Sequence, residues 1–207
     1  MAKRLFDVVF SLAGLVALAP VLVAAAALVR LTSPGPALFR QERIGRGFRP
    51  FTIYKFRTMV VNAPRLGAAI TCGEDPRITR VGRLLRKTKI DELPQLYNVL
   101  RGDMSFVGPR PEVSRYVDMF PEEYREILAV RPGITDLASI IYRDEAAILG
   151  RAADPQAEYV ERILPHKIRL AKEYRRRSSV LFDIGLILQT LLAVVRPTTL
   201  PGTNGVS

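Results

Sequence analysis

The sequence predicts a membrane-associated α/β protein in which helices predominate, and three stretches of the chain lead to that prediction. No charged residue occurs at positions 8–29, two short strands with a glycine-rich turn lie within 37–57, and a second apolar run covers Val180–Val195. The 207 residues carry 31 Lys and Arg against 20 Asp and Glu, a formal net charge of +11, while 48% of them are hydrophobic. Such a composition suits either a nucleic-acid binder with a large core or a protein held at an anionic membrane surface.

The N-terminal apolar run is long enough to cross a bilayer, which needs about 20 residues. Lys3 and Arg4 precede it and Arg30 follows it, so both flanks favour the cytoplasmic side of a membrane. Pro20 lies near the middle of the run, where a proline kinks or breaks a helix. We therefore expect residues 1–32 to form a re-entrant membrane helix that turns at Pro20. A cleaved signal peptide and a simple spanning helix are the alternatives.

The middle of the chain predicts a compact domain, residues 33–178, that begins with a short β-hairpin. Its strands are expected at 37–44 and 50–57, joined by a turn at 45–47. Helices are expected at 77–87, from Pro94 to a stop at Gly102, at 121–130 and at 158–177. Two prolines make residues 108–111 an irregular loop, and the rest of the domain is predicted to be compact and helical.

The C-terminal apolar run, Val180–Val195, is too short for a membrane span and follows a strongly basic stretch. A basic stretch beside an apolar helix is typical of an interfacial anchor. Residues 179–196 are therefore predicted to form an amphipathic helix on the membrane surface, followed by a flexible tail at 197–207. The alternative is a buried core helix with a solvated basic face.

The residue types exclude several kinds of site. The chain has neither a phosphate-binding loop that ends in Gly-Lys-Ser/Thr nor a Gly-x-Gly-x-x-Gly motif at a helix start. One cysteine, Cys72, and one histidine, His166, are too few for a structural zinc site, and a single cysteine excludes a disulfide scaffold. We expect His166 to be an ordinary surface or hydrogen-bonded histidine.

The adjacent carboxylates Asp91 and Glu92 are the strongest candidates for chemistry. A helix cap is the simpler interpretation, since acidic side chains are favoured in the first turn of a helix. Basic residues nevertheless surround the pair, at positions 77, 80, 83, 86, 87, 89, 101 and 110. Arginine binds phosphate in a bidentate manner, carboxylates bind divalent cations, and a carboxylate can attack phosphorus. The cluster therefore favours a site for a substrate with several phosphates.

Three motifs carry a resemblance to a known family. They are Tyr54-Lys55-Phe56-Arg57-Thr58-Met59, Asp75-Pro76-Arg77-Ile78-Thr79-Arg80-Val81-Gly82, and the long segment Asp91-Glu92-Leu93-Pro94-Gln95-Leu96-Tyr97-Asn98-Val99-Leu100-Arg101-Gly102-Asp103-Met104-Ser105-Phe106-Val107-Gly108-Pro109-Arg110-Pro111-Glu112. With Arg131-Pro132-Gly133-Ile134-Thr135 they are similar to motifs of the bacterial sugar transferases. More narrowly, the chain resembles the small monotopic phosphoglycosyl transferases that start glycan assembly on polyprenol phosphate.

The resemblance implies a specific activity and location. Such enzymes take a sugar phosphate from a UDP-sugar, place it on undecaprenyl phosphate and release UMP, with Mg²⁺ as cofactor. They make the first membrane step of a bacterial glycan. The implied location is the inner membrane at its anionic leaflet, with the catalytic domain facing the cytoplasm.

The resemblance also implies roles for particular residues. The family's acidic pair falls on Asp91, as the covalent nucleophile, and on its neighbour Glu92, and both are implied as ligands of Mg²⁺. Glu92 is also implied to deprotonate the incoming polyprenol phosphate, and the resemblance does not separate this role from metal binding. Substrate phosphates or the nucleotide sugar are implied to contact six residues: Lys55, Arg86, Arg110, Arg143, Pro109 and Pro111.

One stretch departs from the family pattern and leaves the identity of the sugar open. Many members follow Pro-Gly-Ile-Thr with Gly-Trp-Ala-Gln, whereas this chain has Asp136-Leu137-Ala138-Ser139, after which Arg143 keeps its register. Two hypotheses without catalysis remain as alternatives, a basic nucleic-acid-binding or membrane-binding protein and an inactive membrane scaffold. No nucleic-acid partner is expected, and the sequence leaves pairing with a second copy open.

Overall fold

The computed structural model of the chain describes residues 2–66 and 70–195. Within these ranges the fold is mostly helical and contains two small two-stranded sheets, which confirms the predicted α/β class with helices predominant. The tail predicted at 197–207 lies outside the described residues.

The N-terminal apolar run forms two helices, α1 (Ala2–Ala17) and α2 (Ala19–Thr32), which are bent by 61° at the break between them. Pro20 occupies the first turn of α2, where a missing N–H costs no helical hydrogen bond. Among the described residues, no single helix is both long and apolar enough to cross a bilayer, and α1 and α2 meet that requirement only as the bent pair. The break beside Pro20 is confirmed, whereas its insertion into a membrane stays a prediction.

Two arginines fasten the ends of the bent pair to the rest of the fold. Near the start of α1, Arg4 donates to the carbonyl oxygens of Val99 at 2.6 Å and Leu100 at 2.8 Å. Beyond the end of α2, Arg57 donates to the carbonyl oxygen of Ser33 at 2.8 Å. The free carbonyls after a helix are favourable partners for a cation, so each contact fixes a helix end against the domain.

The hairpin that follows consists of β1 (Leu38–Ile44) and β2 (Pro50–Phe56), which pair antiparallel along their whole length. A 3₁₀ turn, Arg46–Phe48, joins the strands, and Gly47 adopts a left-handed φ of 67° there. The strands lie within one residue of the predicted positions, so the predicted hairpin is confirmed.

The next helices are α3 (Ala63–Leu66) and α4 (Arg80–Lys87). The helix predicted at 77–87 was placed too early, since it begins only at Arg80. Thr79 caps the helix by accepting the Gly82 N–H at 2.9 Å, and Arg77 lies outside it, paired with Asp75 at 2.6 Å.

A 3₁₀ turn, Ile90–Glu92, then leads into α5 (Gln95–Arg101). Pro94 occupies the cap position, and Gly102 ends the helix with a φ of 94°, as predicted. Asn98 joins α5 to the neighbouring strand, because its amide donates to Thr52 O at 2.7 Å and accepts the Tyr54 N–H at 3.1 Å. This pair of bonds holds the middle of α5 beside β2.

A second sheet, which the sequence patterns did not predict, pairs β3 (Ser105–Val107) with β4 (Gly133–Thr135) in parallel. The backbone just after β3 lies very close to the start of β4, since a Cβ on Gly133 would lie 2.1 Å from the backbone nitrogen of Gly108. Only glycine fits at such a distance, which explains the residue at this position.

The remaining helices surround the main apolar core. They are α6 (Ser114–Val117), α7 (Pro121–Ile127), α8 (Leu137–Ile141), α9 (Glu145–Leu149), α10 (Pro155–Glu158), a π-helical turn (Tyr159–Ile163) and α11 (Leu164–Arg177). Fully buried Leu149 and Leu164 pack with Tyr124 in this core. The helix predicted at 158–177 is present, and the one predicted at 121–130 ends at Ile127.

The last helix, α12 (Val180–Val195), turns its acidic residue towards the protein and several leucines away from it. Asp183 is 5% exposed and accepts a hydrogen bond from Tyr174 Oη at 2.8 Å. Leu181 is 83% exposed and Leu188 is 55% exposed. A buried core helix would show the opposite arrangement, so the structure favours the amphipathic alternative.

Candidate active site

Three elements bring four of the predicted site residues together. Lys55 lies on β2, Asp91 and Glu92 on the 3₁₀ turn before α5, and Arg110 on the loop after β3. Glu92 Oε1 accepts a hydrogen bond from Lys55 Nζ at 2.7 Å and another from Arg110 Nη2 at 2.7 Å. Both bonds join opposite charges and belong to the stronger class of hydrogen bond. Glu92 therefore lies between two cations from different parts of the chain.

The backbone around the acidic pair explains why both side chains lie in the site. Lys89 has a left-handed φ of 58°, which separates α4 from the 3₁₀ turn and changes the direction of the chain there. Among the described residues, no side chain caps α5, and Glu92 is already bonded to its two cations. Both residues lie in the first turn of the 3₁₀ helix, as the helix-cap interpretation expects, but neither is its capping residue and Glu92 is engaged elsewhere.

Asp91 is 8% exposed, and within the described ranges its Oδ1 has no hydrogen-bond partner. Burial and then the charge of Glu92 raise the pKa of Asp91 to about 6, against the opposing charges of Lys55 and other basic residues. Buried polar atoms are almost always paired, so an unpaired carboxylate oxygen calls for a ligand or a reaction partner.

The pKa of Glu92 is shifted in the opposite direction. Burial alone would raise it, but the positive charges of Arg110 and Lys55 outweigh burial and hold the pKa of Glu92 well below its usual value. The charge of Glu92 in turn raises the pKa of Arg110. Adjacent carboxylates whose pKa values are driven apart are typical of sites where the two have different chemical roles.

A cleft of about 1650 Å³ opens over this cluster. Six of the predicted site residues line it: Lys55, Arg86, Asp91, Glu92, Arg110 and Arg143. Arg86 is oriented by its Nε, which donates to Thr58 Oγ1 at 2.9 Å. The cleft exceeds the roughly 300–1,000 Å³ of an ordinary small-molecule site, so it has room for a large substrate or for two.

The walls of the cleft are of two kinds. Charged side chains surround the acidic pair. Apolar surface is supplied by Phe39 and Val61 near the hairpin and by Ile187 and Leu191 of α12. A cleft with both kinds of wall suits substrates that combine phosphate groups with an apolar part.

Pro109 and Pro111 lie outside the lining of this cleft, although they flank Arg110. The carbonyl oxygen of Pro109 accepts the Gly133 N–H at 3.0 Å, and that of Pro111 accepts from Arg43 Nη1 at 3.2 Å. Both prolines therefore fix the loop that presents Arg110, and direct substrate contact by either stays a prediction.

Asp91 of the acidic pair suits a divalent cation that arrives with a phosphate substrate. Across the part of the chain that the structure describes, no group of three or more His, Cys, Asp or Glu residues is arranged to hold a metal. Mg²⁺ is usually held by one or two carboxylates together with substrate phosphates rather than by the protein alone. The unpaired Asp91 Oδ1 meets this requirement, whereas Glu92 Oε1 is already occupied by two cations.

Sequence reasoning missed residues that orient the site. Thr58, Asn98 and Asp136 contact Arg86, β2 and the Arg110 backbone respectively. Asn98 had a usable signal, since a buried amide within an otherwise apolar helix turn needs partners. The expectation for His166 is confirmed, because its Nδ1 is hydrogen-bonded to Tyr142 Oη at 2.6 Å.

Comparison with known proteins agrees with this architecture. The chain belongs to the bacterial sugar transferase family, whose profile matches residues 1–197. The resemblance drawn from the motifs is therefore confirmed.

Individual relatives share much of the chain. It is 39% identical over 198 residues to the UDP-N-acetylgalactosamine-undecaprenyl-phosphate N-acetylgalactosaminephosphotransferase of Aeromonas hydrophila, covering 93% of this chain and 43% of that protein. It is 41% identical over 194 residues to the UDP-glucose:undecaprenyl-phosphate glucose-1-phosphate transferase of Caulobacter vibrioides, covering 92% and 68%. It is 47% identical over 146 residues to the exopolysaccharide production protein PSS of Rhizobium leguminosarum bv. phaseoli, covering 67% and 72%. The chain thus spans less than half the length of the Aeromonas protein.

Proposed function

We propose that this protein moves a sugar phosphate from a UDP-sugar to undecaprenyl phosphate and releases UMP, through a covalent intermediate on Asp91. The observation that carries the proposal is the buried Oδ1 of Asp91, which has no partner among the described residues, beside a carboxylate held by Lys55 and Arg110. The names of the Aeromonas and Caulobacter relatives support the same donor and acceptor classes. Those relatives use different sugars, so the sugar here stays open.

The first step follows from the state of Asp91. With a pKa of about 6 its carboxylate is mostly ionised at neutral pH, yet it stays basic enough to act as a nucleophile. One of its oxygens attacks the sugar-linked phosphorus, the bond from that phosphorus to the bridging oxygen breaks, and UMP leaves with the electron pair. In the second step an oxygen of undecaprenyl phosphate attacks the same phosphorus and releases the Asp91 carboxylate.

The cations around Glu92 stabilise the charge that develops in both steps. Arg110 and Lys55 reach Glu92 of the acidic pair from two different segments of the chain, and Arg86 lines the same cleft. Fixed positive groups next to a transferring phosphoryl group lower the barrier without reorganisation. The low pKa of Glu92 favours a permanent anion that holds Lys55 and Arg110 in place over a base that accepts a proton.

Mg²⁺ is the cofactor that the donor set suits best. Asp91 would hold it through a carboxylate oxygen, with Glu92 beside it and substrate phosphates completing the ligands. When bound, the ion supplies additional neutralisation of phosphate charge.

A membrane location accounts for the outward-facing apolar side chains. Exposed leucines and valines occur along the bent pair and along α12, for example Leu31 at 82% and Leu181 at 83%. The apolar wall of the cleft includes residues of α12, so a lipid-linked acceptor in the membrane plane would have a short path to Asp91. We place the protein at the inner membrane, with the bent pair re-entrant and the domain facing the cytoplasm.

The proposal is tested by UMP release from a panel of UDP-sugars, with undecaprenyl phosphate and Mg²⁺ in detergent. We expect release with at least one UDP-sugar and a loss of at least about a thousandfold in Asp91→Asn. The exposed Asp118→Asn serves as the matched control and should keep full activity. Full activity of Asp91→Asn would remove the nucleophile assignment.

A further inference from the structure

Asp136 is a buried carboxylate that joins the loop of Arg110 to helix α8. The residue is 3% exposed. Its Oδ2 accepts the backbone N–H of Arg110 at 3.2 Å, and its Oδ1 accepts the backbone N–H of Ser139 at 2.7 Å, which caps α8. One side chain thus satisfies a backbone donor on each of two segments.

The bond to Arg110 occurs where the ladder of the second sheet is interrupted. Strands β3 and β4 pair in parallel up to Val107 and Thr135, and the Gly108 N–H still donates to Thr135 O at 3.1 Å. Arg110 then lies between two prolines, which have no N–H, so it carries the one backbone donor of that tripeptide. Asp136 follows Thr135 directly and supplies a side-chain acceptor for the Arg110 N–H, which has no backbone acceptor among the residues that the structure describes.

The contact with Asp136 is made by the backbone of the same residue whose side chain reaches the acidic pair. The Arg110 guanidinium donates to Glu92 at 2.7 Å, so the position of the Arg110 backbone sets the reach of that guanidinium. On its other side Asp136 starts α8, and both Ser139 and the following Arg143 line the cleft. Ser139 Oγ is also buried without a hydrogen-bond partner in the described part of the chain. Asp136 therefore links the acidic pair to a separate part of the cleft wall.

We propose that Asp136 is a positioning residue, which holds Arg110 in reach of Glu92 and couples that pair to helix α8. The inference rests on the proposed function, because it assigns Asp136 a part in the same reaction.

Two substitutions separate positioning from helix capping. Asp136→Asn keeps the shape and an oxygen to cap α8, but places an amide N–H against the Arg110 N–H. Asp136→Ser also caps a helix well, but is too short to bond to both donors. Asp154→Asn is the matched control, since the exposed Asp154 caps α10 by accepting from Gln156 N at 2.9 Å and Ala157 N at 3.0 Å.

The primary readout is the steady-state rate of UMP release per folded molecule. We expect kcat to fall about tenfold to a hundredfold in Asp136→Asn and Asp136→Ser, with KM for the UDP-sugar changed less than about threefold. Asp154→Asn should keep both constants. Unchanged kcat in both Asp136 variants, with only a lower midpoint of thermal unfolding, would reduce Asp136 to a helix cap and overturn the inference. A rise in KM alone would also overturn it, because it would make Asp136 part of substrate binding.

A second measurement separates failure of this inference from failure of the proposed function. The latter would appear as no UMP release by the unaltered protein with any UDP-sugar. In that event the inference is tested by the midpoints of thermal unfolding of Asp136→Asn, Glu92→Gln and the double variant, each compared with the unaltered protein. If Asp136 positions Arg110 against Glu92, the two shifts are non-additive, whereas Asp154→Asn and Glu92→Gln add. Additive shifts for Asp136 and Glu92 would overturn the inference.

Discussion

At the residue scale, Asp91 and Glu92 are adjacent in the chain but lie in opposite electrostatic environments. Glu92 is held between Lys55 and Arg110, while Asp91 Oδ1 is buried and unpaired in the described part of the chain. Burial and then the charge of Glu92 raise the pKa of Asp91, whereas at Glu92 the charges of Arg110 and Lys55 outweigh burial and lower the pKa. Burial of Asp91 and the position of two basic side chains beside Glu92 together make Asp91 the carboxylate that is available for chemistry.

Removal of the Asp91 charge is expected to stabilise the protein. Folding raises the pKa of Asp91 to about 6, so ionised Asp91 lowers stability above that pH, by up to about 3 kcal/mol. Asp91→Asn should therefore raise the midpoint of thermal unfolding at pH 8, and raise it less at pH 5, where the native carboxyl is largely protonated. The exposed Asp118→Asn should leave the midpoint unchanged. A lower midpoint for Asp91→Asn at pH 8 would contradict the assigned environment.

The reaction rate should follow the ionisation of the same group. Because the nucleophile is the carboxylate, UMP release at fixed Mg²⁺ should increase with pH along a single-ionisation curve, with a midpoint at or below about 6. Bound Mg²⁺ favours the carboxylate and moves the midpoint downward. Initial rates between pH 4.5 and 8 measure it, and a rate that falls across this range would contradict the role of Asp91.

At the scale of elements, local signals and long-range contacts differ in how far they can be predicted. The hairpin and both ends of α5 follow from glycine and proline signals that act within a few residues. Strands β3 and β4 have three residues each and pair across a long stretch of chain, so no periodicity reveals them.

The candidate site likewise combines residue types that the sequence predicts with long-range contacts that it does not. The motifs supplied the residue types at Asp91, Glu92 and Lys55, but the sequence alone could not show that Lys55 and Arg110 converge on one oxygen of Glu92. In the sequence Asp136 is visible only as a departure from the family pattern, because a side chain that bridges two backbone segments leaves no pattern of residue types along the chain.

The contact between α1 and α5 is expected to be important for stability. Arg4 donates to the carbonyl oxygens of Val99 and Leu100 at the end of α5, whose opposite end follows the acidic pair. Arg4→Ala removes two charged hydrogen bonds, so we expect a loss of about 2 to 3 kcal/mol of unfolding free energy. Arg125→Ala, which removes an exposed ion pair with Glu122, should cost less than about 1 kcal/mol. Equal effects of the two substitutions in chemical denaturation would contradict the importance of the contact.

At the scale of the whole molecule, basic side chains line the cleft, and apolar surface extends beyond the cleft along the helices at both ends of the chain. Arg86, Arg110 and Arg143 line the cleft, whereas exposed apolar side chains follow the bent pair and α12. Asp183 of α12 faces inwards, where Lys3 and Tyr174 both contact its carboxylate. The N-terminal and C-terminal helices therefore meet in one network, and both present apolar surface to their surroundings.

Membrane binding should depend on the outward leucines of α12. Leu181→Glu combined with Leu188→Glu places two charges on that surface without altering the core, since both side chains are more than half exposed. We expect binding to vesicles of phosphatidylethanolamine and phosphatidylglycerol to weaken at least tenfold. Met119→Glu, at an exposed apolar position between α6 and α7, is the control and should bind normally. Unchanged vesicle binding by the double variant would contradict the proposed orientation of α12.

The central claim is that Asp91 carries the phosphosugar between the two half-reactions. The most direct measurement is mass spectrometry of the intact protein, and of its peptides, after incubation with an accepted UDP-sugar and Mg²⁺ in the absence of undecaprenyl phosphate. The account predicts one added phosphosugar per chain, located on Asp91, which disappears when undecaprenyl phosphate is added and is missing in Asp91→Asn. UMP release without any adduct at Asp91, or an adduct that persists after the acceptor is added, would contradict it.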